Sequence, residues 1–381
     1  MAEIKQIYEI VNLMAEQALG LKGLQPTDAT FVSVGNEVLK SDQTVDAWNK
    51  VLADRIARTA ICIREYAAAD TGLHKEGIEY GIALQRIYID FTQASENTTW
   101  RDKDTEHSDP FRKNAPGVKQ KIFSKISTWE HDITVPDRQI STAFTSATAM
   151  GAFISGLHVE FQNTITSAYE EMADLCRAAG VALWHTSGHS VNLLANYNTQ
   201  MGTTLTAAEC LNDREFLRYA ACQINLAARR IRRMSTLFNL AGRRTFTPED
   251  KRIITVLDEY ASHAAFYLES DTYHDELVKL PGYHAIPYWQ GSGIKYAFDS
   301  TSAVDVKINY NGADENVKLS GILAMIHDND AMGTTIDNRR IKTVRNDADE
   351  YTNYFAKADI GYFTDGNFNG IVFYVADGTV V

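Results

Sequence analysis

TAFTSATAMGAFISGLHVEFQNTITSAYEEMADLCRAA, Thr142 to Ala179, runs without proline and with only two glycines. Met150, Phe153, Ile154, Leu157, Phe161, Ile165, Ala168, Met172, Leu175 and Cys176 recur at spacings of three and four, which lines them along one face of a helix. At ~1.5 Å per residue that helix is on the order of 55 Å long. Globular helices average ~10–14 residues. Gly180 is the expected stop. So long a helix suits an extended, slab-like protein better than a ball.

Upstream, Ile4, Ile7, Tyr8, Val11 and Met14 make an apolar stripe at helical spacing, and Val45 to Tyr66 reads as helix again. Between them LQPTDATFVSVGNE, Leu24 to Glu37, reads as a break with a β-rich run. Residues 84–133 change character. LQRIYIDFTQ places Ile87, Ile89 and Phe91 on one face at period two, and KQKIFSKISTWEHDI alternates likewise, with Phe123 and Trp129 on one face. The polar stretch between them makes this two long strands joined by a long excursion. An isolated hairpin is marginal in water, so this one is expected to pack on another part of the chain or on another copy.

Downstream, residues 213–240 read as an amphipathic helix. FTPEDKRIITVLDEYASHAAFYL reads as the next, with Thr247 as N-cap, Pro248 in the first turn and Glu249 and Asp250 favouring the N-terminus. From Tyr288 the pattern is mostly β, ending in two strands around Asp365-Gly366 with Phe373 and Val375 on one face. The fold class is α+β.

Several stretches invite a chemical reading. ILAMIHDNDAMGTT, Ile322 to Thr335, ends an apolar run in His327, Asp328 and Asp330. In a strand His327 and Asp328 point to opposite faces, and no fourth ligand stands in a recognisable motif, so this reads as a central strand, Ile322 to Ile326, ending in an Asp/Asn turn. HTSGH, His185 to His189, lacks the glutamate a zincin needs after its first histidine, because Thr186 stands there. GSG (Gly291–Gly293) and GNFNG (Gly366–Gly370) are glycine turns, not a phosphate loop. Glu170-Glu171 reads as a solvated pair. Cys62, Cys176, Cys210 and Cys222 form no CxxC and read as buried, reduced thiols. In ARRIRRM, Arg229, Arg230, Arg232 and Arg233 surround Ile231. They make a solvated face, a face paired with an acidic neighbour, or a phosphate contact. No catalytic residue, metal site or cofactor is expected.

The chain of 381 residues allows two or three domains. Its net charge of −12 argues against a protein that coats nucleic acid through broad phosphate contacts. No apolar run reaches the roughly 18 residues of a membrane span, and MAEIKQIYEIVNLMAEQ does not read as a secretory signal.

The order of elements resembles the major capsid protein of tailed bacteriophages, the Hong Kong 97-type fold, and is closest to the short-tailed phi29-like group. The resemblance is carried by DPFRKNAPGVKQKIFSKI (Asp109–Ile126), ITVPDRQISTAFTS (Ile133–Ser146), FISG (Phe153–Gly156), PEDKRIITVLDEYA and ILAMIHDNDAMG, in the family's order. It implies an N-terminal arm over 1–80, an extended hairpin loop over 81–133 and a peripheral domain with the spine helix over 134–200. A mixed α/β axial domain follows over 201–334, and returning strands of the peripheral domain over 335–381. It implies a capsid protein that self-assembles through pentamers and hexamers into an icosahedral head enclosing double-stranded DNA, built in the host bacterial cytoplasm. The partners implied are further copies of the chain, a portal, scaffolding and decoration proteins, and packaged DNA held by non-specific contact. The assembly-interface candidates are Trp100, Phe111, Arg112, Lys113, Lys119 and Trp129 in or beside the hairpin, and Arg229, Arg230, Arg232 and Arg233. Lysines near the hairpin are expected anyway, and no Lys–Asn cross-link is expected. The competing readings are an encapsulin-like nanocompartment shell and a metal-dependent hydrolase using His327, Asp328 and Asp330.

Overall fold

A computed structural model describes residues 4–22, 27–41, 43–52, 73, 75, 84–90, 111, 115–123, 126–138, 147–269, 282–290, 298–310 and 312–377. The longer helices are α1 (Ile4–Leu19), α2 (Asp28–Val38), α3 (43–52), α4 (Ala147–Thr186), α5 (Leu193–Met201), α6 (Arg214–Arg230) and α7 (Asp258–Glu269), with one further turn of helix at Phe298–Thr301. The strands are β1 (Leu84–Ile89), β2 (Val118–Phe123), β3 (Ile126–Pro136), β4 (Ser190–Asn192), β5 (Arg252–Leu257) and β6 (His284–Ile286). They continue with β7 (Val304–Tyr310), β8 (Ala313–Leu319), β9 (Ile322–Asp328), β10 (Met332–Asn346), β11 (Tyr351–Thr364) and β12 (Gly370–Tyr374). The chain divides into two compact units: Met1–Glu79, Ile126–Met172 and Thr334–Gly361, and Tyr80–Lys125, Ala173–Gly333 and Tyr362–Val381.

In the first unit, three helices pack on a sheet ordered β10-β11-β3. The core joins Val11 and Met14 of α1, Phe31, Val34 and Val38 of α2, Trp48 of α3, Val135 of β3 and Tyr354 of β11. Asn49, buried among them, donates from Nδ2 to Thr352 Oγ1 at 2.8 Å and accepts from the Tyr354 hydroxyl at 2.9 Å, so its polar ends are satisfied. The stretch expected as a β-rich break is helix α2. Thr27 caps it, accepting from Thr30 N at 3.4 Å, and Phe31, Val34 and Val38 fall on one buried face. Packing overrides the β propensity of the valines.

Helix α4 is 40 residues long, about 60 Å at the usual rise. Its residues 147–172 belong to the first unit and the rest to the second. It passes straight through Gly180, because that glycine serves a close approach. A Cβ there would lie 2.3 Å from Met332 Sδ. The helix ends instead at Gly188, with φ +80. His189 N there donates to Trp184 O at 2.8 Å, the left-handed closure that glycine allows.

The second unit is centred on a five-stranded sheet ordered β4-β12-β9-β5-β6. Strand β9 is buried along its whole length, which is why Ile322 to Ile326 reads as an unbroken apolar run. The stretch expected as one helix from Thr247 is three elements: a 3₁₀ turn at Glu249–Lys251, strand β5, and helix α7 from Asp258. RIITVL pairs antiparallel with β9, and β-branched residues suit that buried position. Helix α6 stops at Arg230 instead of reaching residue 240. Phe216, Leu217, Ala220, Ala221, Ile224, Ala227 and Ala228 form its buried face, and Cys222, expected buried, falls on the exposed side. Cys176 and Cys210 are buried, and burial pushes their thiols up to about 11 and about 12. The C-terminal strands are present but are not partners: β11 pairs with β3, and β12 with β4 and β9.

Candidate functional site

His327, Asp328 and Asp330 do not assemble into a reaction centre. His327 is buried on β9, with Nδ1 2.9 Å from its neighbour's carbonyl, Asp328 O. Asp328 Oδ2 accepts from Thr247 Oγ1 at 2.8 Å and Oδ1 from Asp330 N at 2.9 Å. That is the Asx turn expected at the strand's end, and it also explains why Thr247 caps no helix. Asp330 pairs with Lys251 at 3.0 Å. Among the described residues no group of three His, Cys, Asp or Glu side chains could hold a metal ion. Burial raises the Asp328 carboxyl above its ordinary range, against the lowering effect of its two hydrogen bonds. Folding therefore favours the protonated form, and Asp328 contributes stability that fades as pH rises through the carboxylate range to the raised folded value. The stability of Asp328→Asn relative to the parent should rise with pH across that window in urea unfolding. A difference that is flat with pH would refute this assignment.

His185 and His189 are structural as well. His185 Nδ1 lies 2.9 Å from Ser190 Oγ, and His189 Nδ1 2.9 Å from Ser187 Oγ. Burial lowers both imidazoles from their ordinary value, which favours the neutral form.

The β1–β2 hairpin is a different matter. Its strands pair antiparallel from Leu84↔Phe123 to Ile89↔Val118. The period-two alternation sorts them into two faces. On one, Arg86 and Tyr88 of β1 and Lys121 of β2 converge on Asp365, a fully buried carboxylate in the turn after β11. Tyr88 donates its hydroxyl to Asp365 Oδ2, and Arg86 and Lys121 approach the carboxylate at 3.4 Å each. Arg86 also donates to the Asp330 carbonyl and lies over the rings of Phe363 and Phe368, 4.6 and 5.1 Å from their centroids. Arg243 fixes the outer end, donating to Asp90 Oδ1 at 2.8 Å and to Ile89 O at 3.1 Å. Burial, then the hydrogen bond to Asp365, hold the Tyr88 phenol well above its ordinary value, so it is a donor at any physiological pH.

The other face is apolar and open. Ile87 is 62% exposed, Ile89 57%, Val118 61% and Ile122 57%. In register, Ile89 stands opposite Val118, Ile87 opposite Gln120 and Ile122 opposite Gln85, so the four apolar residues are direct or diagonal neighbours on a face they share with glutamine. Single exposed hydrophobes are ordinary; a contiguous strip on a well-anchored element marks a surface meant to be covered.

The interface candidates are scattered. Phe111 is 86% exposed and Lys119 is exposed on β2. Trp129 is on β3, not on the hairpin, opposite Ala358 of β11, and 37% exposed. Trp100, Arg112 and Lys113 lie outside the described residues. Arg229 and Arg230 close α6, while Arg232 and Arg233 lie beyond its end, so the four do not share a helix face. Arg232 pairs with Glu249 at 3.3 Å. Asp365 was missed because Asp-Gly reads as a solvated turn. The alternation of Arg86 and Tyr88 with Ile87 and Ile89 was the available signal that one hairpin face would be tethered and the other apolar.

These residues define a protein with an anchored hairpin, an open face bearing exposed apolar side chains and, among the described residues, no assembled reaction centre. The chain belongs to the Phi29-like phage major capsid protein family, whose model matches residues 12–374. It is a phage major capsid protein. Its fold is similar to that in the capsid structure of Staphylococcus phage Andhra, with a TM-score of 0.53 and 13% identity over 82% of this chain and 84% of that one. It is also similar to a chain in the structure of the head fibre and inner core protein gp22 of native bacteriophage P68, with a TM-score of 0.50 and 14% identity over 79% of this chain and 83% of that one. No curated protein matches it.

Proposed function

We propose that the chain forms an icosahedral head of the Hong Kong 97-type plan, through pentamers and hexamers, around double-stranded DNA. In this reading residues 1–80 are the arm, 81–133 the extended loop, 134–200 and 335–381 the peripheral domain, and 201–334 the axial domain. The portal and, where used, scaffolding and decoration proteins are its partners, and assembly takes place in the host cytoplasm. The chain has no catalytic role. The observation that carries the reading is the hairpin: tethered on one face through Asp365 and open on the other through Ile87, Ile89, Val118 and Ile122. A strip of this kind, repeated on every copy, gives a shell many modest contacts that act together. Trp100, Phe111, Arg112, Lys113, Lys119 and Trp129 are further assembly contacts in this reading, Lys119 on the hairpin face opposite the strip.

Electron microscopy and sedimentation of the expressed chain test this. Closed shells, or rings of five or six copies, are expected. Ile87→Ser with Ile122→Ser should leave unfolding within about 0.5 kcal/mol of the parent, as for exposed positions generally, and should abolish closed shells. Shells at parental yield would show that the strip is not an assembly surface.

A further inference from the structure

The strongest surface that the hairpin leaves unexplained runs from the end of α6 to the turn before β5. RRIRRMSTLFNLAGRR, Arg229 to Arg244, holds six arginines and no acid, a local charge of +6. The chain as a whole carries −12, so the remainder carries −18. The segment is not a loose loop. Ser235 and Thr245 exchange both backbone hydrogen bonds at 3.0 Å. Asn239 donates to Arg243 O at 2.7 Å and accepts from Arg243 N at 2.9 Å. Leu240 N donates to Gly366 O, and Gly370 N to Phe238 O. Ile231, Phe238 and Asn239 are buried.

On this fixed frame, large apolar side chains point outward: Leu237 is 71% exposed, Phe246 43% and Met234 38%. The bridge register sets Met234 opposite Phe246. Two of the arginines are engaged within the chain, Arg232 with Glu249 and Arg243 with Asp90. Arg229, Arg230, Arg233 and Arg244 are exposed and form no ion pair with a described residue.

We infer that this segment is a contact between copies of the chain, its apolar centre and arginine rim taking an acidic surface of a second copy. The inference rests on the capsid reading and adds a second surface to the hairpin strip. The composition separates a protein partner from nucleic acid. Protein interfaces concentrate Met, aromatic residues and Arg and are poor in Lys, and this basic cluster contains no Lys. A phosphate-facing surface gains nothing from three exposed hydrophobes held in fixed positions. The opposite charge of the rest of the chain makes a second copy the matching occupant, and a preorganised segment loses little freedom on docking.

The test is Arg229→Glu with Arg233→Glu in the full chain, beside the parent and Leu237→Ser, read by circular dichroism, sedimentation and electron microscopy at low and high salt. Folded double variant with shell yield reduced roughly tenfold or more, and a smaller loss for Leu237→Ser, is the expected result. If the double variant fails to fold, Arg229→Gln with Arg233→Gln replaces it under the same criterion. Parental shell yield in a folded variant overturns the inference while leaving the capsid reading intact. Intact shells that retain less DNA also overturn it, because the segment then faces nucleic acid. A parent that forms neither shells nor rings removes the reading that the chain assembles unaided, and this inference with it.

Discussion

Asp365→Ala is expected to lower the unfolding free energy by about 3 kcal/mol and to release the hairpin. Removing one partner from a buried ionic cluster leaves the others without compensation, typically at ~3–5 kcal/mol. Here Arg86 is largely buried, but Lys121 is 42% exposed and regains water, so the low end applies. The Tyr88 hydroxyl also loses its acceptor, about 1–3 kcal/mol for a buried donor and not additive with the first loss. Amide hydrogen exchange supplies the local readout: Arg86, Tyr88 and Lys121, at hydrogen-bonded positions of the ladder, should lose protection, while Thr255 and Met325 of the central sheet keep theirs. Equal loss in both places would mean that Asp365 holds the whole unit and not the hairpin.

Gly370→Ala should cost about 3 kcal/mol, the upper part of the range for overpacking a core. A Cβ at Gly370 would lie 2.1 Å from Trp184 Cε2 and 2.5 Å from Cζ2, and Trp184 is fully buried. Neither the indole nor the start of β12 can withdraw without disturbing the pairing of Gly370 with His327 of β9. The clash is with the indole itself, so it can be relieved. Trp184→Phe in the same chain removes the nearest atoms together with an indole N–H that finds no acceptor among the described residues. The double variant should be less destabilised than the sum of the singles by about 1–2 kcal/mol. Additive losses in chemical denaturation would locate the strain elsewhere.

The readable parts of the fold were those whose signal is local. Helix α4 shows itself through spacing alone, and β9 through an apolar run bounded by turn residues. What was misread depends on partners far away in sequence. Gly180 looks like a stop, but it is small for the sake of Met332 and Trp184. Thr247 looks like a cap, but its oxygen is taken by Asp328, and the residues after it form a strand because β9 lies alongside. The alternation of Val118 to Phe123 continues into Ile126 to Pro136, yet β2 pairs with β1 and β3 with β11. Periodicity tells which way side chains point, not which strand lies next door. The candidate surface was half legible for the same reason. The two faces of the hairpin were visible, but the carboxylate that decides which one is tethered comes from a turn some 240 residues further on, in a dipeptide that ordinarily faces water.

The Asp365 anchor also bears on how the hairpin carries load. The hydrogen bonds of the β1–β2 ladder lie across the hairpin, so a pull along its length moves both strands together and does not part them. One carboxylate holds Arg86 and Tyr88 of β1 and Lys121 of β2 at once, behind the pair of Arg243 with Asp90. In mechanical terms the hairpin is a stiff bar on two pins, Asp365 at the base and Arg243 at the outer end. Strain along the hairpin would load those attachments before it parts the ladder.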